Sequence, residues 1–232
     1  MFDPGRKNEP LTTEERWICG VFLVIVLGLF IAEIVDNYQP AKLSALLIVL
    51  FWIPLLALHE AGHAVVAALV GWHVGQVVIG AGRLVSAFRI GTALVEIRWV
   101  LVEGFIKCVP TNLRWPRLKS ALIYFAGPGV ELLLALIVLG LVGPDRLFSH
   151  SSDYSLIIWQ SLAIASAAQG VLNLVPHAVQ TKTGDVANDG LGIIRSFFKP
   201  ISYYAAMIGR TYNEEENAWD EYDPGEWWKR EQ

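Results

Sequence analysis

Charge is scarce in this chain. Only 17% of its 232 residues are Asp, Glu, Lys or Arg, against 54% hydrophobic. Soluble domains average about 25% charged residues, so the balance is that of a membrane protein. A net charge of −4 gives no reason to expect nucleic acid as a partner. Cysteine is equally sparse. Cys19 sits in the first apolar stretch and Cys108 in a polar-flanked loop, with no C-x-x-C spacing, which argues against a disulfide framework or a thiolate metal site. Both read as small buried or loop thiols. The opening "MFDPGRKNEPLTTEERW" has no apolar core and no small-residue cleavage site. The apolar stretch after it is therefore expected to be an uncleaved transmembrane helix and not a signal peptide.

Long apolar runs are what the chain does have. Residues 17–35, 43–70, 120–143 and 155–175 are each long enough to cross a bilayer, which takes about 20 helical residues. The fourth is rich in Ala, Ser and Gly, which let helix backbones approach closely, and so is expected in the bundle interior. Lys and Arg number 3, 1, 7, 1 and 6 in the segments before, between and after these runs. That alternation predicts cytoplasmic termini by the positive-inside rule. Residues 72–110 are glycine-broken and alternate apolar with polar side chains, as in "VEIRWVLVEGF". This is a strand pattern. The expected fold is thus an α-helical integral membrane protein with about four transmembrane helices and a small cytoplasmic, membrane-associated β-sheet or hairpin region between the second and third. Its parts are a cytoplasmic N-terminal segment (1–16), a membrane-embedded domain (17–200) and a polar, acidic, Trp-rich tail (201–232). Flexibility is the default for a tail of that composition, with partner binding as the alternative.

Within the second apolar run stands "LHEAGHAVVA". H-E-x-x-H on a helix puts His59 and His63 on one face, a turn apart, where both imidazoles can bind one tetrahedral zinc. Glu60 then faces the open side of the ion and can take a proton from water there, whose pKa zinc lowers to about 7. Ionisable groups inside a membrane are costly and mark function by default, which favours a metal site over satisfied core histidines. A catalytic zinc commonly has three protein ligands. Candidates for the third are Glu131 in "FAGPGVELLLA" and Asp185 and Asp189 in "TGDVANDG"; His73, His150 and His177 sit at loops or span ends.

The order of these elements, H-E-x-x-H in a transmembrane run, a glycine-broken β region ending in "GFIKCVP", then "AGPGVELLL", "NLVP" and a downstream "DG", resembles the site-2 protease family of intramembrane zinc metalloproteases. The resemblance spans residues 54–190. It implies His59 and His63 as ligands of one zinc ion, Glu60 as catalytic base and Asp189, before Gly190, as third ligand. It also implies that Asn173 of "NLVP" helps to position substrate. Asn173 and Asp189 lie sixteen positions apart, which exceeds the compact family spacing and keeps Asp185 open as a rival. Glu131 stands where many relatives carry Asn, and no PDZ-like domain fits the length. The implied activity is hydrolysis of peptide bonds in membrane-spanning substrates within a lipid bilayer, with a bacterial inner membrane as the expected location. The alternative is a non-catalytic scaffold or adaptor that keeps the zinc site. Strands of the β region are expected to capture unwound substrate by β-augmentation, with Ile97 as an edge residue.

Overall fold

The computed structural model describes residues 38–181 and 184–209, with positions 21, 28, 31–33, 35–36, 212–213 and 218–219 beside them. The N-terminal segment 1–16, most of the first expected span and most of the acidic tail lie outside the described residues. Three helices among the described residues are long and apolar enough to cross a membrane, Pro40–Leu69, Pro116–Val142 and Tyr154–Leu174. They coincide with the second, third and fourth expected spans to within a few residues. The first begins as a 3-10 turn, Pro40–Lys42, and continues as α1, Leu43–Leu69. Helix α2 is Pro116–Val142, started by proline at a position whose backbone N–H has no intrahelical partner to lose. A short α3, Pro144–Leu147, leads to α4, Tyr154–Leu174, which Asp153 caps by accepting a hydrogen bond from the Ser155 amide.

Helix α4 is the interior one, as its small residues predict: half of its apolar window is buried, against 11% and 28% for the other two. Helix α2 packs against both α1 and α4. Its crossing with α1 is close because Gly62 has no side chain; a Cβ there would lie 2.8 Å from the Ala126 carbonyl oxygen.

Between α1 and α2 come two long strands, β1 (Trp72–Ile90) and β2 (Ala93–Pro110), paired antiparallel. Both bend, so the sheet is wider than a simple hairpin. Gln76–Ile79 of β1 are matched to Gly104–Lys107 on one side and to Leu94–Ile97 on the other, while Leu84–Ile90 are matched to Ala93–Arg98. The bend in β1 falls at Gly80 and Gly82, both with positive φ (95° and 78°), which other residues adopt only with strain. The outer segments are therefore 84–90 and 104–110. Ile97, expected at an edge, is paired on both sides, with Ile79 and Ser86. The correction has a simple cause: alternation reveals strands, but not that a strand folds back beside its own partner. The inner face of this sheet, through Trp72, Val74, Val77 and Val95, joins Ala67 of α1 and Ile123 of α2 in one buried cluster.

After α4 a small antiparallel hairpin, β3 (Ala178–Thr181) with β4 (Gly184–Ala187), leads into α5, Asp189–Phe198, and α6, Ile201–Ala206. Helix α5 lies against α2 with Gly190, Gly192 and Ser196 buried. Ser120 and Ser196 share a hydrogen bond of 2.8 Å, and the Tyr204 hydroxyl donates to the Ser196 carbonyl. These contacts fix the helix that carries Asp189 against the helix that faces the histidines.

Candidate metal centre

His59 and His63, one turn apart on α1, are buried with their Nε2 atoms 3.0 Å apart. Asp189, the first residue of α5, closes a triangle. Its Oδ2 lies 2.9 Å from His59 Nε2 and its Oδ1 3.3 Å from His63 Nε2. These three residues, which offer donor atoms all within 4.8 Å of one another, are a group able to hold a metal ion. A tetrahedral zinc with bonds of about 2.0–2.1 Å separates its ligand atoms by about 3.3 Å, so the donor set fits that ion. Burial alone pushes the Asp189 carboxyl up, but its hydrogen bonds to the two imidazoles outweigh this and hold it down at about 2. It is an anion ready to ligate.

Helix α2 completes the setting. The His63 Nδ1 faces the Ile123 carbonyl oxygen at 2.6 Å, and the His59 Nδ1 lies 3.2 Å from Glu131 Oε2. Between them Gly127 passes over the donor atoms: a Cβ there would stand 2.6 Å from His59 Nε2 and nearer still to His63 Nε2. Glycine is required at this point by space. Glu60 is 3% exposed, and its carboxylate rests against the backbone of β2 at Gly104, where a Cβ would come within 2.6 Å of Oε1.

Asp189 is aimed by the residue before it. Asn188 caps α5, its side-chain oxygen accepting from the Leu191 amide at 3.1 Å. Its amide nitrogen donates to the carbonyls of Asn173 (2.9 Å) and Val175 (2.8 Å), and its oxygen also accepts from the His177 amide. The start of α5 is thereby tied to the end of α4. Asn173 enters this arrangement through its backbone, one hydrogen bond from the residue before Asp189.

The structure therefore brings together four of the five expected site residues, His59, Glu60, His63 and Asp189. Asn173 stands at the α4 end, where its backbone carbonyl accepts from the Asn188 side chain. Asp185 lies in β4, paired with Gln180, and its side chain is not among those described. Glu131, weighed as a third ligand, sits instead on the opposite side of the His59 ring from Nε2. Sequence reasoning did not find the roles of Asn188 and Gly127. Asn188 carries a legible signal, an Asn before an acidic helix start; Gly127 carries only its place in "AGPG".

Helices long and apolar enough to cross a membrane, an H-E-x-x-H turn buried among them and a His–His–Asp group able to hold a metal ion define a membrane protein with a candidate metal centre. Residues 45–150 match the model of Peptidase family M50, and over that stretch the resemblance to the site-2 proteases is borne out. This is a metalloprotease family. No curated protein matches the chain. The matched stretch holds His59, Glu60, His63, Gly127 and Glu131 but ends before Asp189, whose assignment rests on geometry alone.

Proposed function

We propose that the protein is a zinc-dependent intramembrane endopeptidase that hydrolyses peptide bonds of membrane-spanning substrates. The observation that carries this reading is the convergence of His59, His63 and Asp189 beside the otherwise unpartnered Oε2 of Glu60, in a helix apolar enough to span the bilayer. Bound zinc would polarise the scissile carbonyl and acidify a water molecule beside it. Glu60 accepts a proton from that water, holds it on its carboxylate, and passes it to the departing amine nitrogen. Burial serves this step, since charge stabilisation is stronger where water is excluded. Asp185 is the rival third donor, and Asn173, at the α4 end, positions substrate.

A peptide bond inside a helix is hydrogen-bonded and flanked, so the substrate must unwind before attack. The outer segment of β2, 104–110, offers a free edge for it: no strand is paired on its far side among the described residues, and its Gly104 end rests on Glu60. Main-chain pairing there gives affinity with little sequence demand. The lysine and arginine distribution supports cytoplasmic termini, with a bacterial inner membrane as the location.

The test is cleavage of a single-span substrate by purified protein in detergent. Wild-type protein with one equivalent of zinc is expected to cut, and Glu60→Gln to bind zinc equally and not cut. Equal cleavage by the two, or none by either across a panel of substrates, would sink the reading and favour a scaffold.

A further inference from the structure

Glu131 is the only charged residue in α2 after Lys119, and it is 1% exposed. A carboxylate in that position is costly without a partner, and intramembrane ionisable groups mark function. Its Oε2 has no hydrogen-bond partner in good geometry, and neither has His59 Nδ1; the two atoms lie 3.2 Å apart.

A ligating imidazole must present a lone pair on the nitrogen that faces the metal, so its proton must reside on the other nitrogen. For His63 the proton on Nδ1 has an acceptor, the Ile123 carbonyl. His59 sits one turn earlier on α1, opposite a point two turns later on the antiparallel α2. Its Nδ1 makes no hydrogen bond in good geometry, to backbone or side chain, and the Glu131 carboxylate lies 3.2 Å from it. Its carboxylate cannot itself take the place of a ligand, because the His59 ring stands between it and the donor group.

We infer that Glu131 is a positioning residue, which holds the proton of His59 on Nδ1 and fixes the ring so that Nε2 faces the metal. This rests on the zinc reading above. Outer partners of this kind change metal affinity by about 10–100-fold when removed.

The test is zinc affinity, measured by chelator competition on purified full-length protein, together with the visible spectrum of the cobalt(II)-substituted form. Glu131→Ala removes the acceptor, and its zinc dissociation constant is expected to rise about 10–100-fold. Glu131→Gln keeps an acceptor of equal reach without the charge and is expected between Ala and wild type, since charge-assisted bonds are roughly twice as strong as neutral ones. The cobalt bands should shift in the same order, with the thermal midpoint of the metal-free protein unchanged. Wild-type affinity and an unshifted cobalt spectrum in Glu131→Ala would overturn the assignment. So would equal weakening in both variants with an equally lowered metal-free midpoint, which is the mark of packing alone. Wild-type protein that binds no zinc overturns the zinc reading first, and is told apart by the behaviour of the unsubstituted chain.

Discussion

Replacing Gly127 with alanine adds one methyl group where α2 crosses the metal-binding turn. That carbon would lie 2.6 Å from His59 Nε2, about 1 Å inside the roughly 3.5 Å at which such atoms rest. His63 Nε2 is closer still, so no small rotation of one ring relieves both contacts. Either the imidazoles swing away from the donor triangle or α2 retreats from α1. Both displace a site whose geometry must hold to about 0.5 Å. A 1 Å misplacement costs about 100-fold in rate, equivalent to about 2.7 kcal/mol of transition-state stabilisation. Helix propensity acts the other way, since alanine is preferred to glycine by about 1 kcal/mol in a helix interior. The expected result is therefore a helix at least as stable that has lost zinc and activity together. Gly140, in the same helix, has nothing within 4 Å of an added Cβ, and Gly140→Ala serves as the matched control. Zinc per chain after dialysis and kcat/KM on a single-span substrate are the two readouts. Wild-type zinc content and turnover in Gly127→Ala would refute the claim that glycine is required there by space.

Gly104→Ala is expected to act on the base and not on the donors: its Cβ would meet Glu60 Oε1 at 2.6 Å, so zinc content should stay at wild type while kcat falls about 100-fold. Asp189→Ala should abolish zinc retention and Asp185→Ala should leave it intact, read by metal analysis of the two purified variants; the reverse pattern transfers the ligand role to Asp185. The Cys108 thiol is pushed up to about 12 by burial, and only the thiolate is nucleophilic. In a Cys19→Ser background, alkylation at pH 8 should thus be far slower than for a free thiol and should accelerate as the pH rises toward 12. A rate at pH 8 equal to that of the unfolded chain would show the thiol to be exposed.

What could be read from the sequence is what depends on neighbours along it. The H-E-x-x-H turn is local, because i and i+4 share a helix face whatever surrounds them, and hydropathy alone locates the ends of α1, α2 and α4. Asp189 was one of several candidate third ligands in the sequence and was singled out only by the resemblance, since its approach to His59 is made by α5 lying against α2. The role of Glu131 depends on the antiparallel register of α1 and α2, which no pattern within either helix encodes. In the same way the alternation in 72–110 identifies strands, yet Ile97 became an inner residue because β1 bends at Gly80 and Gly82. Each miss is a case of two distant segments choosing how to meet.

The donor triangle has a consequence for how the protein is made. His59 and Asp189 are 130 positions apart, and translation proceeds at about 5–20 residues per second. A growing chain accordingly carries both histidines for on the order of ten seconds before the third donor exists at all. Asp189 then reaches them only when α5 has settled against α2. During that interval the chain lies in the membrane among other newly inserted helices, including its own. On the proposed zinc-hydrolase reading, the third donor arrives with α5, made after the three membrane-crossing helices, and the enzyme stays inert through the period when it would be most dangerous to its neighbours.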